Sequence, residues 1–193
     1  MDVTTLKERL LALKTTFEAQ EDVLTELDRA IGDGDHGVNM RRGFEALPEQ
    51  LDDRSMAALF KSTGMTLMSK VGGASGPLYG FSFVKMSQVV HDEIDHQNLI
   101  ELLRAFEAAV AERGKVTLNE KTMYDVISRA RAAVEQGETV DIAKLQSFAD
   151  ATRDLEATKG RASYFKKDSI GHMDPGAQSS VYLLNALIGA DRV

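Results

Sequence analysis

Cysteine is absent from all 193 residues, so the chain has neither a disulfide framework nor a thiolate nucleophile or metal ligand. That suits a reducing cytoplasm. No segment approaches eighteen uninterrupted apolar residues, and Met1-Asp2-Val3-Thr4-Thr5-Leu6-Lys7-Glu8 is not a basic region leading into an apolar core. Neither a membrane span nor a secretion signal is therefore expected. Positive charge is short as well: 23 Lys and Arg face 30 Asp and Glu, leaving a net charge of -7. This balance argues against direct nucleic-acid binding. Repeats, low-complexity segments and interior linkers are also missing. The length is right for one domain spanning 1–193 with a sizeable core.

Otherwise the composition is that of an ordinary globular chain, 43% hydrophobic and 27% charged. Against it stands Leu27-Asp28-Arg29-Ala30-Ile31-Gly32-Asp33-Gly34-Asp35-His36-Gly37-Val38-Asn39-Met40, with three carboxylates and three glycines around one turn. Asp28, Asp33 and Asp35 repel one another, while the glycines allow positive φ and close approach to a ligand. Magnesium carrying a polyphosphate answers both features, because hard carboxylate and phosphate oxygens share its octahedron. Turn formation alone would account for Asp33 and Asp35, but not for Asp28 upstream. Gly32-x-Gly34-x-x-Gly37 spells a dinucleotide fingerprint, yet it follows a helical pattern where a strand is required. As a calcium loop counted from Asp33, it places Phe44 where a bidentate Glu is needed. A Walker motif and a GxSxG elbow are missing too.

Val3, Leu6, Leu10, Leu13, Phe17, Leu24 and Leu27 recur at helical spacing, predicting one long helix continued to Ile31 with Asp28 near its inward face. A carboxylate so placed needs a partner. Val38 to Leu47 predicts a short helix, ended by Pro48, whose first amides face the aspartate turn and suit phosphate. Apolar stripes predict further helices over Met56–Met68, Tyr79–Asp92, Leu99–Val110, Met123–Val134, Ile142–Leu155 and Val181–Ile188. About eight helices and no strand-like run make the expected fold all-α. His91 and His96, in a polar link, read as surface histidines.

Two more stretches stand out. Val71-Gly72-Gly73-Ala74-Ser75-Gly76-Pro77-Leu78-Tyr79-Gly80 is a second glycine-rich turn. Its amides and the Ser75 hydroxyl could meet phosphate, or its small residues could serve only a close helix connection. Residues 157–177 form a long segment carrying Lys159, Arg161, Lys166 and Lys167 in an otherwise acidic chain. It reads as a phosphate clamp or as a solvated basic loop. In an up-and-down bundle, connections after odd-numbered helices share one end, so the two glycine turns and this segment converge there. The residues alone thus point to a helical domain that binds magnesium and nucleotide, for phosphoryl transfer.

Motifs along nearly the whole chain carry a resemblance: 27–40, Gly-Gly-Ala-Ser-Gly-Pro-Leu-Tyr-Gly at 72–80, Lys-Thr-Met-x-Asp-Val at 121–126, Ala-Thr-Lys-Gly-Arg-Ala-Ser-Tyr at 157–164, and Ser-Ile-Gly-His-x-Asp-Pro-Gly-Ala at 169–177. In this order they resemble the DhaL family, the nucleotide-binding subunits or domains of dihydroxyacetone kinases. The resemblance implies a closed barrel of about eight antiparallel helices with nucleotide at one end. It further implies that Asp28, Asp33 and Asp35 hold two magnesium ions, and that His36, Gly37, Val38 and Asn39, with Ala74 and Ser75, contact phosphate. Gly114, Met123, Arg161 and Asp174-Pro175-Gly176 would complete the nucleotide pocket, with Gly114 and Met123 beside adenine. Asp28, Asp33, Asp35 and Arg161 would act in catalysis. The pattern departs at Asn119-Glu120, where such proteins commonly have Gly-Asp. His36, where the nucleotide domain of fatty-acid kinases has Thr, favours the dihydroxyacetone branch.

The chain lacks the covalent substrate-binding domain of ATP-dependent dihydroxyacetone kinases, and so resembles the free-standing bacterial subunit. The partners implied are a substrate subunit, DhaK, and a phosphotransferase-system subunit, DhaM; a homodimer stays open. ADP would be phosphorylated in place by a phosphohistidine of DhaM, and the γ-phosphoryl passed to dihydroxyacetone on DhaK. The alternatives are a regulatory subunit whose contacts depend on nucleotide state, and an ATP-dependent kinase of another small hydroxy ketone. The setting expected is cytoplasmic.

Overall fold

In the computed structural model, residues 1–189 are described. They form α1 (Val3–Ala19), α2 (Glu21–Ile31), α3 (His36–Glu45), α4 (Met56–Lys70), α5 (Ser75–Met86), α6 (His96–Gly114), α7 (Met123–Glu135), α8 (Ile142–Asp150) and α9 (Pro175–Ile188). Short 3₁₀ segments occupy Leu47–Glu49, Ala151–Asp154 and Arg161–Ser169. No strand occurs among the described residues, as the all-α expectation has it.

The long first helix is in fact two. Gln20, at φ -104° and ψ 6°, breaks it: its amide bonds the Thr16 carbonyl, and its own carbonyl accepts from Leu24. Glu21 and Asp22 then open α2, where negative charge meets the positive end of the helix dipole. Phe17 and Leu24 are both fully buried and seven residues apart, so the stripe runs through the break and conceals it. The break also lets α3 in: a Cβ on Gly37 would overlap the Glu21 carbonyl, so only glycine permits this approach.

Other boundaries shift for local reasons. The expected Tyr79–Asp92 helix begins at Ser75, with Pro77 in the first turn where a missing N–H is harmless, and ends at Met86. Beyond that end, the buried Asn98 side chain donates to the Val89 carbonyl and accepts from the His91 amide. Pro48 sits inside the Leu47–Glu49 3₁₀ turn. The Ile142–Leu155 stripe is α8 followed by a 3₁₀ turn, Ala151–Asp154.

Helices adjacent in sequence pack side by side, and α9 packs against α7, α8, α1 and α2, which closes the ring. Inside, Phe17 stacks on Phe44 at 4.4 Å, and Phe60 meets Phe83 at 5.7 Å. Each such fully buried side chain contributes about 1.5–3 kcal/mol of transfer free energy. Because α1 and α2 are separate, the converging connections follow α2, α4, α6 and α8. All four line one cavity of about 580 Å³. No helix among the described residues is long and apolar enough to cross a membrane.

Candidate functional site

The acidic end of this cavity is built by the α2–α3 turn. Asp28, at the inward face of α2, is 8% exposed. Its Oδ2 accepts from the amides of Asp35 (2.9 Å) and His36 (3.1 Å). Asp28 thus takes the amides of Asp35 and His36 at the very start of α3. Gly32 is required where it stands, since a Cβ there would overlap the Asp28 carboxylate. Ligand oxygens of Asp28, Asp33 and Asp35 lie within 4.8 Å of one another. Burial holds the Asp28 carboxyl above its ordinary range; the two amides oppose this, and Asp33 and Asp35 add to it by repulsion. Arg161 Nη2 reaches Asp33 at 2.8 Å. Three hard oxygen donors against a single guanidinium suit a hard divalent cation, by the chemistry of the donor set.

Beside the acids, a buried polar chain ties three helix starts together. His36 Nδ1 lies 3.3 Å from Ser75 Oγ at the start of α5, and its Nε2 lies 3.0 Å from Ser179 Oγ in α9. The Tyr79 hydroxyl, fully buried, contacts Ser179 Oγ at 2.7 Å and donates to the Gly176 carbonyl. Burial lowers the His36 pKa to about 4, so the imidazole is neutral and bridges hydroxyls instead of offering charge to a ligand. Gly73, at φ 64°, turns the chain between α4 and α5.

The same cavity has apolar lining from Leu78, Val110, Val116 and Met123. At Gly114 a Cβ would stand 3.4 Å from both Leu78 and Val116, within the closed wall. Asp174 caps α9 by accepting from the Ala177 amide at 2.7 Å. Burial raises its pKa to about 7; the Ala177 bond and Lys121 oppose this, while Asp125 and Asp28 add to it.

The α6–α7 connection, residues 115–122, holds three non-glycine residues at positive φ: Lys115, Asn119 and Lys121. Such backbone persists only where its surroundings hold it. Asn119, at φ 68°, occupies a conformation that Asn tolerates better than most residues, which explains its presence where glycine was expected. Its side-chain oxygen accepts from Arg129 at 2.9 Å. Lys121 is fully buried and donates to the carbonyls of Thr152 (2.7 Å) and Leu155 (3.0 Å). Thr122 and Asp125 form a capping box at the start of α7.

Of the expected site residues, Asp28, Asp33, Asp35, His36, Asn39, Ala74, Ser75, Gly114, Met123, Arg161, Asp174, Pro175 and Gly176 all line the cavity. Gly37 and Val38 do not: Gly37 packs on α2, and the Val38 side chain is 42% exposed. Sequence reasoning gave no role to Lys121, Arg113, Leu78 or Val110, which also line it. Lys121 belonged to a recognised motif, whereas Val110 was indistinguishable from a core stripe.

Comparison with known proteins agrees with this geometry. The DAK2 domain model matches residues 30–189. A Listeria innocua protein described as the ADP-binding subunit DhaL of a PEP-dependent dihydroxyacetone kinase is 45% identical over 175 residues, covering 89% of this chain and 88% of that one. A Lactococcus lactis protein described as the ADP-binding subunit DhaL of a PTS-dependent dihydroxyacetone kinase is 42% identical, with 97% of each chain covered. Among solved structures, the native dihydroxyacetone kinase of C. freundii superposes with a TM-score of 0.74 at 23% identity, over 96% of this chain and 34% of that one. The same enzyme in complex with AMP-PNP and Mg²⁺ gives 0.73, a likeness of fold. The matched family model and the extent of identity lead to one conclusion: the chain belongs to the DAK2 domain family, among its DhaL-type members.

Proposed function

We propose that this chain is the nucleotide-carrying subunit of a multi-subunit dihydroxyacetone kinase, and that residues 1–193 act as one nucleotide-binding domain. In this reading it holds ADP, which a phosphohistidine on a DhaM-type subunit converts to ATP in place. The γ-phosphoryl then passes to dihydroxyacetone held by a DhaK-type subunit, giving dihydroxyacetone phosphate. The setting is cytoplasmic. One observation carries the reading: a three-aspartate cluster lines the same cavity as the apolar side chains of Leu78, Val110, Val116 and Met123. Such a cavity suits a ligand with a metal-bound polyphosphate at one end and a flat base at the other.

Each residue has a task in it. Asp28, Asp33 and Asp35 would hold Mg²⁺, as a pair of ions, and that metal would supply charge neutralisation for the phosphates when bound. Asp28, fixed by two amides, gives the cluster a rigid member. Arg161, 65% exposed at its side chain and paired through Nη2 with Asp33, would present the rest of its planar fork to phosphate oxygens and offset charge in the transition state. The Ser75 hydroxyl and the small residues around Gly73 let phosphate approach the chain closely. Leu78, Val110 and Met123 exclude water from the base. No general base is required of this chain, since phosphoryl transfer rests on positioning and electrostatics.

The test is reconstitution with a DhaK-type and a DhaM-type subunit, phosphoenolpyruvate as donor, and dihydroxyacetone phosphate as the product measured. Product formation that depends on this chain, with about one nucleotide released per chain on denaturation, is the expected outcome. A chain that binds neither ADP nor ATP and leaves the mixture inactive overturns the proposal.

A further inference from the structure

The cavity has one wall unlike the others. Its remaining walls stand on α-helices, helix ends and the connections held to them, but residues 159–162 line it from the segment between α8 and α9, where the Arg161–Ser169 3₁₀ turn begins. The root of this loop is held by three hydrogen bonds, of which Ala157 to Ser169 is buried. The Ala157 amide donates to Ser169 Oγ at 2.9 Å, with Ser169 fully buried, and the Gly171 amide donates to the Arg153 carbonyl at 2.7 Å. Lys121 fixes Leu155 from below. Above the root the hold is lighter. Gly160, at φ 62°, would have nothing within 4 Å of an added Cβ, and a small patch of Ala162 on Ile31 supplies apolar contact.

Two polar contacts hold this upper part down. One is Arg161 on Asp33, within the metal-binding cluster. The other is at the opposite end, where Glu120 joins the two loops. One Glu120 carboxylate oxygen accepts from the Thr117 amide at 2.7 Å, and the other accepts from the Thr158 hydroxyl at 3.1 Å, with Lys159 Nζ 3.8 Å away. The Thr158 amide in turn approaches the Glu120 carbonyl at 3.4 Å. Neither Glu120 nor Thr158 is among the residues lining the cavity. They join its walls from behind.

We infer that Glu120 and Thr158 form a clasp that gates nucleotide traffic, so that a strap rooted at 153–157 and 169–171 opens for uptake and release when the clasp parts. The inference rests on the nucleotide reading above and adds to it what governs exchange. Since the clasp touches no ligand, weakening it lowers a barrier common to both directions. Association and dissociation then quicken together, and Kd stays put. A wall residue behaves otherwise: its loss quickens release alone and raises Kd in proportion.

Stopped-flow measurement with N-methylanthraniloyl-ADP and Mg²⁺, chased by unlabelled ADP, separates these cases. In Thr158→Val and in Glu120→Gln, both rate constants should rise, by about three- to tenfold for loss of one partly exposed hydrogen bond. Since the chain has no cysteine, Glu120→Cys/Thr158→Cys supplies the reverse test. Oxidation with diamide should arrest uptake and release, and dithiothreitol should restore both. Unchanged rates in the single variants, a rise in release matched by a rise in Kd, or free exchange in the oxidised pair overturns the clasp while leaving the nucleotide reading intact. Wild-type protein that releases no nucleotide on denaturation and takes up no labelled ADP overturns both.

Discussion

Two hollows among the described residues are of similar size, one of about 580 Å³ at the convergence of the four connections and one of about 640 Å³ on the flank of α4. Both hold aspartates, and the difference lies in whether the charge is settled. On the α4 flank, Asp52 accepts from Arg54 Nε at 2.9 Å and Nη2 at 2.6 Å, and its carboxyl is pulled down to about 2. Its neighbour Asp53 is 2.6 Å from Lys7. In the other hollow, Asp28, Asp33 and Asp35 converge with Arg161 on one of them, and Asp28 is held above its ordinary range. Folding alone would not favour that arrangement. A cluster whose charge the protein leaves uncompensated is one waiting for a cation, and volume says nothing about it.

The largest effect that would break this comparison is on turnover. Asp33→Ala should lower the rate of the reconstituted mixture by about 100-fold or more, the scale on which a lost transition-state partner acts. Asp52→Ala should leave it alone. Equal losses in the two variants would mean that the settled and unsettled acids do not differ in function.

Next in size is the response to metal. Mg²⁺ at about 100 times its Kd should stabilise the wild type by about 2.7 kcal/mol, raising the melting temperature by about 5–10 °C for a chain of this length. Asp28→Asn should remove that rise, and should itself melt higher than wild type in the absence of metal. The amide oxygen still accepts from Asp35 and His36, while the repulsion from Asp33 and Asp35 is gone. Calorimetry with and without Mg²⁺ measures both effects. A metal-free Asp28→Asn that melts lower would show the carboxylate to be structural.

Why the acid turn could be read from sequence, and much of its support could not, follows from distance along the chain. Asp28, Asp33 and Asp35 lie within one short stretch, so their chemistry is local and visible. Lys121 and Thr152 are 31 residues apart, and Glu120 and Thr158 are 38 apart. No periodicity connects such pairs, because periodicity reports which face of one element is buried, not which loop meets which. The Gln20 break was hidden for a related reason: seven residues separate Phe17 from Leu24 whether or not the helix is continuous. The taking of the Asp35 and His36 amides by Asp28 depends on a turn geometry that Gly32 permits but does not announce. Fold class and the identity of the acids were thus open to reading, and the clasp and the caps were not.

A smaller effect sharpens the comparison through pH. Asp174 has a folded pKa of about 7 against an ordinary value of 3.8, so between these values the folded state binds the proton that the unfolded state has released. Stability must therefore fall as pH rises from about 4 to about 7. Asp174→Asn, which can still cap α9, should flatten that part of the melting-temperature profile measured without nucleotide. An unchanged slope would assign the fall to other groups.

The smallest effect belongs to the settled acid, and its sign is opposite. Asp52 has its pKa lowered from 3.8 to about 2 by the side-chain and backbone bonds of Arg54. The stabilisation this confers is present above pH 4 and is lost as pH falls toward 2. The Arg54 side chain is 85% exposed, so water and salt screen the pair heavily. Arg54→Ala should accordingly lower the melting temperature only slightly at neutral pH, meet wild type as pH falls toward 2, and leave Mg²⁺ response and turnover unchanged. Were Arg54→Ala instead to make the α4 hollow take up Mg²⁺, with a rise in melting temperature like that of the acid turn, then one uncompensated aspartate would be enough to bind. The acid turn would owe its affinity to lacking a counter-charge, and not to the converging geometry of Asp28, Asp33 and Asp35.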